Sequence, residues 1–169
     1  SLFLLFFSWT SPASAKIPTI LQPTKHAFFA SFGMGPAIGL HNISSQFKLT
    51  QEFGWHFWGD GSGPAIGGSL QEAFVGGFAT LEIGPKFWWD IQPVKELGLY
   101  IAPCAQMGLA YAGIGNGYAG FNLQFGVEAR LALGGIGMVL FRPITFDLGI
   151  GDAVVVRWDM MFGGGVYFL

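Results

Sequence analysis

Apolar and polar positions alternate with a period of two along most of this chain. Residues 121–133 read FNLQFGVEARLAL: Phe121, Leu123, Phe125, Val127, Ala129, Leu131 and Leu133 fall on one parity, and Asn122, Gln124, Gly126, Glu128, Arg130 and Ala132 on the other. Successive side chains of a strand point to opposite faces, so the segment predicts a strand with one apolar and one polar face. The same reading predicts strands over 27–40, 46–58, 64–75, 78–91, 97–111, 137–149 and 154–168. In 46–58, Phe47, Leu49, Phe53, Trp55 and Phe57 oppose Lys48, Thr50, Glu52 and His56. In 78–91, Ala79, Leu81, Ile83, Phe87, Trp89 and Ile91 oppose Thr80, Glu82, Lys86 and Asp90. Segment 137–149 is broken by Arg142-Pro143. Proline cannot donate to a ladder, so a bulge is predicted there, letting Val139 and Phe141 share a face with Ile144, Phe146 and Leu148.

Short turn-like stretches join these segments: HNISS (41–45), GDGSG (59–63), VGG (75–77), QPVKE (92–96), GIGNG (113–117), GG (134–135) and GIGD (149–152). Short links between consecutive strands make antiparallel hairpins. The predicted fold is therefore all-β: an eight-stranded antiparallel up-and-down barrel.

Composition decides which face is wet. The chain is 51% hydrophobic, 17% aromatic and only 11% charged, where a soluble domain carries about 25% charge. No apolar run is long enough for a membrane helix. A barrel crossing lipid reconciles the two, and closure is required because an open edge would leave backbone groups unpaired in hydrocarbon. The charged residues share parity with glycines such as Gly54, Gly84, Gly108, Gly126 and Gly163, which marks the narrow inner face. The Phe-, Trp- and Leu-rich parity suits the broad outer one. Trp55, Phe57, Trp58, Trp88, Trp89, Tyr111, Tyr118, Tyr167 and Phe168 fall near strand ends, where interfacial girdles are expected. A soluble ligand-binding barrel would reverse this pattern.

At the N-terminus, Leu2–Trp9 (LFLLFFSW) precedes Pro12 and Ala13-Ser14-Ala15, resembling the apolar core and cleavage site of a secretory signal peptide. Residues 1–15 are expected to be that leader, and 16–169 the transmembrane barrel domain. Cys104 is the chain's one cysteine and has no partner for an intramolecular disulfide.

The cleavage site, the eight alternating strands and the closing VVVRWDMMFGGGVYFL are similar to those of small bacterial outer-membrane barrels of the OmpA/OmpX type. In the C-terminal strand, Trp158, Met160, Phe162, Val166 and Phe168 match the family's alternating assembly signal, with Leu169 following the aromatic on which the family usually ends. The resemblance implies outer-membrane lipid as the surroundings, a monomer, and the barrel assembly machinery as a partner through the last strand. It implies no activity.

The polar parity supplies the candidate site, a lumen charge network of Lys48, Glu52, His56, Glu82, Lys86, Asp90, Glu128, Arg130, Asp147, Arg157 and Asp159. Unpaired charges in such an interior would cost several kcal/mol each, so mutual pairing is expected. The resulting reading is a mostly sealed barrel with a structural or minor permeation role. Two alternatives stand beside it. His41 with Ser44 and Ser45 could form a hydrolytic rim acting on membrane lipid, and the lumen could hold a small ligand. The match of Gly115–Gly120 to G-x-G-x-x-G lacks the helix that a dinucleotide site needs, so it reads as a turn. Neither a metal nor any other cofactor is expected. A net charge of −2 with no basic cluster speaks against nucleic acid.

Overall fold

The computed structural model describes residues 18–113 and 118–169. The expected leader and most of the 113–117 turn lie outside them. A 3-10 turn at Thr19–Leu21 precedes eight strands: β1 (Phe28–His41), β2 (Gln46–His56), β3 (Gly63–Val75), β4 (Phe78–Asp90), β5 (Leu99–Ala112), β6 (Tyr118–Leu133), β7 (Gly137–Ile150) and β8 (Val154–Phe168). Each pairs antiparallel with the next, and β1 closes on β8 to give one cylinder. The strand count and connectivity are those read from the alternation, with ends displaced by up to three residues.

Closure satisfies the backbone, and the outer parity meets hydrocarbon. Leu109 and Met107 on β5, Phe125 on β6, Phe146 on β7 and Phe162 on β8 all point outward and are exposed. A surface this apolar would aggregate in water; in lipid it is the favoured solvent face. The barrel is transmembrane. Glu72 also lies on the outward parity, between Leu49 and Leu81, but it sits three residues from the β3–β4 turn, near the end of the cylinder. That turn is Gly76-Gly77, both at positive φ (51° and 85°), the geometry of a two-residue hairpin matching strand twist.

The bulge expected at Pro143 is present. The β7–β8 register shifts between Arg142 and Thr145, and the β6–β7 register shifts between Val127 and Ala129. Val139 and Phe141 before it, and Ile144 and Phe146 after it, all face outward.

Two of the expected girdle aromatics are not on the outside. Trp88 and Tyr167 are fully buried in the lumen. The reason is parity: Trp88 alternates with Lys86 and Asp90, and Tyr167 with Gly165 and Gly163. They meet Phe29 and Tyr100 in an apolar core near the end of the barrel that holds both termini of the sheet. Phe29 lies edge-on to Trp88 at 5.1 Å, and Tyr100 stands 6.5 Å from Tyr167. The exposed girdle at that end is made by Trp55, Phe57, Trp58 and Trp89, with Trp55 against Phe57 at 4.8 Å and Trp58 against Trp89 at 6.3 Å.

Candidate functional site

Every strand sends one parity inward, and the barrel stacks those side chains in three tiers. The tier nearest the aromatic core is built around Glu128 of β6 and Glu52 of β2. Arg142 of β7 bridges them, donating from Nη2 to Glu52 Oε1 and Glu128 Oε2 at 2.6 Å each, and from Nε to Glu128 Oε2 at 2.9 Å. Lys86 of β4 donates to Glu52 Oε1 at 2.6 Å, and Arg130 donates from Nε to Glu128 Oε1 at 2.6 Å. Arg130 Nη1 reaches Asp90 Oδ2 at 3.1 Å, and its guanidinium lies 4.2 Å from the centre of the Phe29 ring. The aromatic core therefore caps the charge cluster through cation–π contact as well as by excluding water. His56 sits at the edge, with Nε2 2.9 Å from Asp90 Oδ2 and Nδ1 3.2 Å from the Ala27 carbonyl. Both ring nitrogens thus face oxygens.

A belt of glutamines forms the middle tier. Gln71 Nε2 donates to Gln106 Oε1 at 2.6 Å and to Gln124 Oε1 at 3.0 Å, and Gln124 Nε2 returns a bond to Gln71 Oε1 at 3.2 Å. Beyond it, toward the opposite end, lies a second charged tier. Lys48 Nζ contacts Asp159 Oδ2 at 2.7 Å, Asp147 Oδ2 at 2.9 Å and Glu82 Oε2 at 3.0 Å. Arg157 pairs with Glu82 and Asp147, and Nη1 donates to Gln46 Oε1 at 3.0 Å. Asn122 donates to Asp147. This tier holds three carboxylates against two cations.

All eleven residues of the predicted network lie buried in the lumen. The sequence reading missed Arg142, the bridge of the inner tier, because the alternation was interrupted at the proline beside it. The signal was nonetheless there: Val139 and Phe141 face outward, so Arg142 must face inward. It also missed Phe29, for the same reason that it misplaced Trp88: an apolar residue on the polar parity was not read as core. His41 and Ser44, by contrast, are both exposed at the β1–β2 turn, and no hydrogen bond joins them; Ser45 Oγ instead accepts from the Gly39 amide at 3.2 Å. No group of metal-ligating side chains occurs among the described residues.

Among the described residues, the lumen is closed at the core end and open as a cup at the other. The cup measures about 570 Å³, with walls from Ile43, Ala110, Ala112, Gly120 and Val155 and a floor from Glu82 and Arg157.

No protein-family model matches the chain, and no curated protein matches its sequence. Solved structures do match. Neisserial surface protein A (NspA) superposes with a TM-score of 0.70 at 13% identity, over 83% of this chain and 97% of that one. The N-terminal β-barrel domain of Pseudomonas aeruginosa OprF gives 0.59 at 10% identity, over 87% and 100%. Ail, the attachment invasion locus protein of Yersinia pestis, gives 0.52 at 11% identity, over 84% and 97%. At these identities the likeness is one of architecture, and the architecture is that of the small eight-stranded outer-membrane barrels.

Proposed function

We propose that this protein is a bacterial outer-membrane barrel whose lumen is sealed, contributing to the membrane as a structural element rather than as a pore. The observation that carries the reading is the inner tier. Glu52, Lys86, Glu128, Arg130 and Arg142 come from β2, β4, β6 and β7, are buried, and tie opposite walls together. An ion moving through would have to break several charge-assisted bonds in a low-dielectric space, and then pass the Phe29, Trp88, Tyr100 and Tyr167 core. The outward parity of Trp158, Phe162, Val166 and Phe168 on β8 supports delivery by the assembly machinery through the last strand, following export by the leader at residues 1–15.

Single-channel recording of the refolded barrel in a planar bilayer tests this. The expected trace is flat, with insertion verified by a mobility shift on boiling. Reproducible conductance steps whose size changes in Arg130→Ala would overturn the sealed reading.

A further inference from the structure

The lipid-facing wall is not uniformly apolar. Of the outward-facing strand residues among those described, only Gln51 on β2 and Glu72 on β3 bear an amide or a charge. They are diagonal neighbours, since Gln51 lies opposite Leu70 and Glu72 opposite Leu49. Glu72 stands near the cup end, where headgroups and water reach it. Gln51 is the central residue of β2, so it sits at mid-depth in the hydrocarbon. Its neighbours turn inward, where Thr50 Oγ1 donates to Glu52 Oε1 at 3.3 Å. The Gln51 carboxamide is exposed and has no hydrogen-bond partner among the described residues. An amide left unpaired in hydrocarbon is unfavourable, and lipid tails offer it nothing.

A depression lies beside it. The row Ala30, Phe53, Gly68 and Pro85 crosses four strands, and Gly68 leaves a gap in that row. A Cβ at Gly68 would meet nothing within 4 Å, and its φ is not positive, so neither packing nor backbone within the barrel calls for glycine here. Phe53 forms the ridge next to the gap, packed against Phe28 and Phe168 with ring centres 6.0 and 6.1 Å away. The resulting groove holds about 630 Å³ and is bordered by Gln51, Phe53, Leu70, Ile83 and Pro85.

Whatever covers this face must bring a hydrogen-bonding group to the middle of the bilayer, which excludes lipid. A second copy of the chain meets the condition through its own sequence. Copies cross the membrane in the same direction, so a partner's Gln51 arrives at the same depth. A carboxamide carries both donor and acceptor, so two of them satisfy each other across a two-fold axis. We propose that the β2–β3 face is a self-association surface, on which two barrels pair about an axis along the membrane normal. Gln51 bonds to Gln51 of the partner subunit, and the Phe53 ridge of each copy seats in the Gly68 gap of the other. Small residues serve membrane interfaces in this way, by letting backbones approach. The pairing departs from the monomer that the family resemblance implies. It does not depend on the sealed lumen: a conducting barrel would leave it standing.

Energy transfer between donor- and acceptor-labelled full barrels in phosphatidylcholine vesicles tests the pairing. The dyes sit on Asp152→Cys in the exposed β7–β8 turn, with Cys104→Ala removing the native thiol. Transfer above the level of random encounter is expected, falling as lipid dilutes the protein. Gln51→Leu should weaken association about tenfold. Gly68→Ile, which fills the gap without a clash inside the barrel, should abolish it. Phe125→Leu, on the opposite wall, should change nothing, and the boiling shift verifies that each variant is folded. Transfer no higher than random encounter when the β2–β3 face is intact would overturn the inference. So would transfer that persists undiminished in Gln51→Leu or in Gly68→Ile.

Discussion

Arg142→Met isolates the worth of the bridge in the inner tier. Methionine keeps most of the length and apolar bulk of the side chain but removes three hydrogen bonds, one to Glu52 and two to Glu128. Losing one partner of a buried ion pair typically costs about 3–5 kcal/mol, because the remaining charge is stranded. Here neither carboxylate is stranded outright. Glu52 keeps Lys86 at 2.6 Å, and Glu128 keeps Arg130, with Lys86 3.8 Å away. The lower end of the range, about 3 kcal/mol, is therefore expected. With a urea dependence of about 2 kcal/mol per molar, the unfolding midpoint should fall by about 1.5 M. Equilibrium unfolding followed by tryptophan emission would measure it. Adding Glu128→Gln to Arg142→Met removes the surplus carboxylate and should recover about 1 kcal/mol or more relative to the sum of the single variants. A midpoint within about 0.3 M of wild type, or strictly additive losses, would refute the assignment of Arg142 as the bridge.

Three further outcomes follow from the same geometry. A Cβ at Gly54 would lie 2.3 Å from the Phe29 ring, itself held by Arg130 and Trp88, so Gly54→Ala should cost about 1–3 kcal/mol, with part returned by adding Phe29→Leu; an unaffected unfolding midpoint for Gly54→Ala would contradict that packing. Phe125 faces lipid near the middle of β6, and Phe125→Arg should destabilise the barrel by about 2–4 kcal/mol in bilayers; a negligible loss would mean that this face does not meet hydrocarbon. Cys104 is 8% exposed and points inward, so a maleimide should leave it unlabelled in the folded barrel and react in urea; rapid labelling of the folded form would reveal a lumen open to solvent.

How much of this was legible beforehand follows the physics of alternation. The period of two determines face, and in a closed sheet face is nearly the whole fold, so strand number, pairing order and the eleven inward polar residues could be read directly. Position along the barrel axis leaves no such mark. Trp88 near a strand end reads the same whether it serves a girdle or a core; only its parity with Lys86 separates the two. The tiers themselves depend on register between strands that are not neighbours, such as Arg157 of β8 meeting Glu82 of β4. Nothing local in either strand encodes that meeting. The cup was equally invisible, since it is a space left where Ala110, Ala112 and Gly120 are too small to fill the end of the cylinder.

The placement of the ion pairs also bears on how the barrel reaches its final state. Lys48 of β2 meets Asp147 of β7, Arg142 of β7 meets Glu52 of β2, and Arg157 of β8 meets Glu82 of β4. None of these pairs joins adjacent strands, so a partly formed sheet cannot make them. Arg142 with Glu128 and Arg157 with Asp147 join neighbouring strands and can pair earlier, but the pairs across the barrel wait until β8 zips onto β1. A sheet closed one step out of register would turn inward charges toward lipid and strand their partners. The lumen thereby acts as a proofreading device: it penalises every closure but one, and its cost falls on the misassembled barrel, before anything has been asked of the finished one.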